Sequence, residues 1–244
     1  MGGRDPRRDR KRHSRAGGSG HVLHRAGPGR VRNDLLYQIR CLDHAPDRIV
    51  LHWTGGGPEP NPVDLSSYHA LVGQSCRIYA GVPIAANMRR IPPQTSRSEY
   101  AAHTRGLNSW SVGVALCGMM GAKEGGPYGP HPITEEQMYT AIGLVAAMVR
   151  TAGLPVTAET VLTHWEVQRV MGVAQPGKWD ITVLPWAPEI TADEVGDWIR
   201  QHVSAAIISP TDYLPKIRPL SQTVRSPGGE APWRKPLDSP HRAE

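Results

Sequence analysis

Between Thr163 and Ile181 the chain reads THWEVQRVMGVAQPGKWDI, and this stretch narrows the folds open to it more than any other. An imidazole, His164, is followed fourteen residues later by an amine, Lys178, and two residues further on by a carboxylate, Asp180. Nitrogen and oxygen donors of this kind suit a borderline cation such as zinc, whose hydrolytic sites use three protein ligands and keep one position for water. Two donors fall short, so a fold that uses them must carry a third in from a distant segment. His52 is the candidate, because it closes the β-branched apolar run RIVLHW just ahead of a Gly-rich loop. Each residue alone is an ordinary structural side chain; the reading rests on the set.

With 244 residues the chain has room for one domain of roughly 150 to 200 residues plus tails. The formal charge of +6 is unevenly spread. Residues 1–33 hold ten Lys/Arg against two Asp, a net of +8, and residues 209–244 hold six against four, a net of +2. The part between them is therefore mildly acidic, at −4. Cys41, Cys76 and Cys117 show no paired short spacing of the kind that marks a zinc ribbon or redox dithiol. Buried free thiols made in a reducing compartment are the expectation. No window reaches the ~18 consecutive apolar residues a membrane helix needs, and the basic start has no apolar segment behind it, unlike a secretion signal.

Taken in order, residues 1–33 combine Arg with Gly and read as a basic disordered arm. Such an arm attracts nucleic acid or an anionic surface by charge alone, and an extension without a role reads the same way. A short helix capped by Asp34 follows, to Leu42. Arg48 to Trp53 reads as a buried strand entering a loop, WTGGGPEPNP. HALVG and CRIYAGV read as two strands joined by a turn near Gly73 to Ser75, and Pro83 to Thr104 as a long surface loop. SWSVGVALC is a central strand. At ITEEQMYTAIGLVAAMVRTAG, Thr134 with Gln137 forms a capping box, apolar residues recur at Met138, Ile142, Val145 and Val149, and Gly153 ends the helix. Thr160 to Thr163 is a short strand feeding His164. A second capping box, Thr191 with Glu194, opens a C-terminal helix, and 209–244 is a Pro-rich polar tail. The expected architecture is an α/β domain over 34–208, with a central mixed β-sheet flanked by helices and both histidines at strand ends, where active sites commonly lie.

Five segments in this order resemble the zinc-dependent N-acetylmuramoyl-L-alanine amidases of type 2, which share a fold with peptidoglycan recognition proteins and include short phage lysozyme-amidases: LHWT, SYHALV, AAHTRGLNSWSVGVALCG, THWEV and GKWD. The resemblance covers about residues 46–200. It implies that His52, His164 and Asp180 hold Zn2+, that Tyr68 and Lys178 are the polar catalytic partners, and that His103 lies beside the substrate groove. The implied fold is a mixed sheet of five or six strands. The implied activity is hydrolysis of the amide between N-acetylmuramic acid and L-alanine, as a phage or prophage endolysin. Asp180 stands where the phage lysozyme branch has Cys, and Ile181 where many relatives have Pro. The sixteen residues from His52 to Tyr68 read as lacking a helix that several relatives carry, which implies a more open groove.

Other residues near these motifs get structural readings. Glu166 lacks the helical HExxH spacing of a zinc-site base and is expected to hold a backbone amide or a His ring. His69, next to Tyr68, should face the opposite side of its strand. Of the tryptophans in these segments, Trp179 is the candidate for stacking on a sugar. The partner implied is peptidoglycan, bound by a monomer, with no specific nucleic acid. The chain is expected to be made in the cytoplasm without a signal peptide and to act on the cell wall, by an open release route. A non-catalytic peptidoglycan-binding module of the same fold is the alternative, and an envelope- or nucleic-acid-associated protein with an amidase-like passenger domain is a third.

Overall fold

The computed structural model describes residues 28–209. The expected arm through residue 27 and the tail from residue 210 lie outside the described residues.

Five short strands, β1 (Arg48–Trp53), β2 (Ala70–Val72), β3 (Ile78–Ala80), β4 (Ser111–Leu116) and β5 (Val161–Thr163), make one sheet in the order β3-β2-β4-β1-β5. β2, β4, β1 and β5 run parallel, and β3 pairs antiparallel with β2 through the expected turn after Gly73. The sheet is mixed, as the sequence suggests. β4, read as central, is its middle strand.

Five helices accompany it: α1 (Pro28–Arg40), α2 (Pro62–Ser67), α3 (Glu135–Ala152), α4 (His164–Met171) and α5 (Val195–Ile208). Alternation along the strands gives the sheet two different faces. Ile49, Leu51 and Trp53 of β1 and Val112, Val114 and Leu116 of β4 join Leu35, Met138, Ile142, Val145, Ile199 and Val203 in the main core beneath α1, α3 and α5. Val50 of β1 and Leu162 of β5 face the other way, onto Val167 of α4. On that same side lie Leu71, Ala115 and Cys117, against Tyr68. Burying each large side chain of the main core contributes ~1.5–3 kcal/mol, so the helical side holds the sheet and leaves the opposite face available for polar chemistry.

α3 forms where its local signals place it. Thr134 accepts from the Gln137 amide, the Gln137 side chain returns to the Thr134 amide, and Gly153 closes the helix at φ 69°. Other regions differ from the sequence reading. α1 begins at Pro28, six residues ahead of Asp34 and inside the stretch assigned to the arm, with proline in the first turn, where its missing N–H costs nothing. The interval from His52 to Tyr68 does contain a helix, α2, capped by Asn61 and Asp64 with Pro62 at its first position. β5 feeds His164 as the sequence suggests, and His164 opens α4. The Thr191–Glu194 pair closes a turn just before α5, with the Glu194 carboxylate accepting from the Thr191 amide and hydroxyl. Within 83–104, two 3-10 turns replace a plain surface loop. Asn87, fully buried, ties them down by donating to the Ala101 and Asn108 carbonyls and accepting from the Ala101 amide.

Candidate metal centre

Parallel pairing places Leu51 beside Thr163. The next residues, His52 and His164, therefore leave adjacent strands at the same end, the carboxyl end where open parallel sheets form their sites. α4 is fixed there by three bonds to groups that helix starts leave unsatisfied. Thr163 Oγ1 accepts from the Glu166 amide, Glu166 accepts from the Thr163 amide, and the Asp180 carbonyl accepts from Trp165 at 2.7 Å. The last of these brings Asp180 to the start of the helix that carries His164. The Asp180–Ile181 peptide bond is cis.

The result is a triangle. His52 Nδ1 lies 3.1 Å from His164 Nδ1, and Asp180 Oδ2 lies 3.0 Å from each. All three residues are buried, with exposures of 0%, 2% and 7%. Around a tetrahedral zinc with bonds of ~2.0–2.1 Å, neighbouring donors stand ~3.3 Å apart, so the spacing fits. The protonation pattern fits as well. His103 Nε2 lies 3.4 Å from the Ser111 carbonyl, which can only accept, leaving His103 Nδ1 as an acceptor for His52 Nε2–H at 3.2 Å. Gln175 Oε1 accepts from His164 Nε2–H at 2.9 Å. With both outer nitrogens donating, each neutral imidazole aims an Nδ1 lone pair inward. Two lone pairs and a carboxylate oxygen crowded this closely form an arrangement that a cation stabilises.

Electrostatics favour the donor forms of His52 and Asp180. Burial, aided by the His164 and Lys178 charges and opposed by Asp180, lowers His52 to about 4. Burial likewise holds His103 well below the usual imidazole range, with His52 and His69 adding. At Asp180 burial opposes ionisation, whereas a proton or positive charge at the His164 and His52 nitrogens lowers the carboxyl to about 2, the same polarity that a bound cation would supply. His52 is thus neutral and Asp180 ionised at neutral pH, so neither has to lose a proton to bind a cation.

The structure brings together His52, His164 and Asp180, the three residues read from the sequence as donors. The Tyr68 ring lies 5.2 Å from that of His52, and burial, reinforced by the Asp180 and Asp64 charges, raises its phenol above the ordinary range. Lys178 is exposed and follows a turn in which its amide donates to the Gln175 carbonyl. His103 occupies a different place from the groove side expected of it: it is 6% exposed, behind His52, with Nδ1 also 2.8 Å from the Thr104 hydroxyl. Glu166 has the structural position read for it, pairing with Arg200 at 2.8 Å besides holding the Thr163 amide. His69, fully buried, accepts from the Gly113 amide through Nδ1. Trp179 packs edge-on against Trp53, with ring centroids 4.7 Å apart. Gln175 and Thr104 belong to the site without any sequence signal, since their partners include ring nitrogens and a backbone carbonyl that spacing does not reveal.

The mixed α/β sheet brings His52 and His164 together at the carboxyl ends of adjacent parallel strands, and Asp180 joins them from a turn, a grouping that could hold one metal ion. The N-acetylmuramoyl-L-alanine amidase family model, Amidase_2, matches residues 42–180, more than half of the chain. The chain belongs to that family. Among solved structures it is similar to the Ph2119 endolysin from a Thermus scotoductus bacteriophage, at 19% identity over 68% of this chain and 90% of that one, TM-score 0.39. It is also similar to the endolysin N-acetylmuramoyl-L-alanine amidase LysCS from Clostridium intestinale, at 17% over 66% and 85%, TM-score 0.38. A third is the Drosophila peptidoglycan recognition protein SD, at 21% over 52% and 73%, TM-score 0.33. No curated protein matches the chain.

Proposed function

We propose that this amidase-family chain is a zinc enzyme that hydrolyses the amide between N-acetylmuramic acid and L-alanine in peptidoglycan. The observation that supports it is the inward triangle of His52 Nδ1, His164 Nδ1 and Asp180 Oδ2, with sides of 3.0–3.1 Å and both outer ring nitrogens already occupied. Zinc held there would supply Lewis acidity toward the scissile carbonyl and toward water. Two neutral imidazoles and one carboxylate leave the centre a net charge of +1, which preserves that acidity.

The remaining steps fall to side chains. Lys178 would stabilise the negative charge that develops on the carbonyl oxygen as the amide is attacked, an interaction that strengthens toward the transition state. Tyr68, whose phenol stays protonated because of burial, would donate a hydrogen bond that orients the attacking water or assists proton transfer to the leaving amine. His103 would hold the His52 ring rather than touch substrate.

The site of action is the cell wall, and among the described residues no helix is long and apolar enough to cross a membrane. Service as a phage or prophage endolysin, by a monomer, is the reading that the five ordered segments support. Non-specific anionic contact through residues 1–33 completes the proposal. Purified wall should release new L-alanine amino termini, and chelator should stop this until zinc is restored. Wall binding without new amino termini would sink the enzymatic reading in favour of a binding module, and full activity of metal-free protein would sink the zinc.

A further inference from the structure

Gln175 uses every polar group it has, and its partners come from three separate segments. The residue is 5% exposed. Oε1 accepts from His164 Nε2 at 2.9 Å, and Nε2 donates to the Arg105 carbonyl at 2.7 Å. A carbonyl cannot donate, so the amide has only one satisfactory orientation, with its oxygen toward His164. The backbone is held as firmly. The Gln175 amide donates to Gln168 Oε1 at 2.9 Å, and its carbonyl accepts from the Lys178 amide at 3.2 Å. Gln168 sits on α4, four residues after His164, so the helix that carries the imidazole also grips the residue that bonds it.

We propose that Gln175 is the positioning residue of the centre. It fixes His164 as the Nε2–H tautomer, presenting Nδ1 toward His52 and Asp180, and the same backbone starts the turn that delivers Lys178 and Asp180. Without the Gln175 oxygen, the His164 proton can move to Nδ1, where it would occupy the inward position. The ring would also be free to rotate. The affinity arm of this proposal rests on the zinc reading above, whereas the tautomer arm does not.

The experiment compares wild type, Gln175→Leu and Gln175→Glu. Histidine ring 15N spectra of metal-free protein are recorded at pH ~8, above the ~6.5 of an ordinary imidazole, and the zinc Kd is measured by chelator competition. In wild type His164 should be protonated at Nε2. Gln175→Leu should mix the tautomers and raise the zinc Kd ~10–100-fold, the usual range for losing an outer hydrogen bond to a ligand. Gln175→Glu retains the acceptor toward His164 and loses only the donor to the Arg105 carbonyl, so it should keep the tautomer and raise the Kd by less than Gln175→Leu does. An Nδ1–H tautomer in the wild type overturns the proposal without any variant, even if Gln175→Leu fails to fold. An unchanged tautomer and Kd in Gln175→Leu overturn it too. If wild type binds no zinc, the metal reading fails, and the tautomer comparison alone decides the role of Gln175.

Discussion

His52 and His164 are 112 residues apart in sequence, yet their Nδ1 atoms lie 3.1 Å apart. Parallel pairing of β1 with β5 makes this possible, since it puts the residues that follow Leu51 and Thr163 at the same sheet end. Asp180 completes the set by a backbone bond to the first turn of α4. Replacing Asp180 with Ala should therefore raise the zinc Kd by more than the ~10–100-fold that loss of an outer hydrogen bond costs. Chelator competition measures this, and wild-type affinity in Asp180→Ala would remove it from the ligand set.

Lys178 and Tyr68 act on the reaction and not on the ion in the mechanism proposed here. Lys178→Met should lower kcat by ~10²–10³, as loss of one transition-state donor does, and Tyr68→Phe by ~10² or more. Both should retain zinc stoichiometry. A Lys178→Met enzyme with unchanged kcat on purified wall would leave that residue as a solvated side chain.

Gly113 leaves the space that His103 fills. A Cβ at that position would lie 2.5 Å from His103 Cγ, too close to be tolerated without moving the ring. Since His103 Nδ1 accepts from His52 Nε2, Gly113→Ala should weaken zinc binding ~10–100-fold through the outer hydrogen bond. Titration of the variant with zinc checks this, with its melting temperature recorded to separate misfolding from loss of orientation.

Glu166 links the Thr163 amide to Arg200. Glu166→Ala leaves Arg200, 11% exposed, with only Asp197 and a backbone carbonyl, and should cost ~3 kcal/mol or more of stability. Denaturant unfolding measures it. The folded fraction should keep its turnover at temperatures well below the midpoint, whereas selective loss of kcat would mark Glu166 as a base.

Acid should destabilise the metal-free protein well before its carboxylates titrate. Burial lowers His69 to about 4 from 6.5, and His52 moves the same way to about 4. Between those values the unfolded chain binds protons that the folded chain refuses, so stability holds above ~6.5 and falls as pH drops toward ~4. Each ring contributes up to ~1.4 kcal/mol per pH unit across that window. Urea midpoints measured from pH 7 down to 4 should decline, and a flat profile would show that these imidazoles are not buried.

α3 is legible in the sequence because everything that starts, faces and stops it is local: Thr134, Gln137, an apolar stripe and Gly153. The starts of α2 and α4 carry local signals too, Asn61-Pro62 with Asp64 and Thr163 with Glu166. There, turn-forming residues and the neighbouring histidine compete for the interpretation, and a six- or eight-residue helix offers little periodicity to set against them. His103 shows the other limit. Its motif marks it as part of the site, but its burial behind His52 depends on an absent side chain at Gly113, on a different segment.

By itself the sequence determines which atoms are available: two imidazoles, a carboxylate, an amine and a phenol, on segments whose local chemistry is strand, helix cap or turn. Tertiary structure decides which nitrogen of each imidazole points inward. That choice depends on the Ser111 and Arg105 carbonyls reached through His103 and Gln175. Every residue has a carbonyl, so the sequence cannot single these two out; only the folded chain sets them within hydrogen-bond reach of the rings they orient.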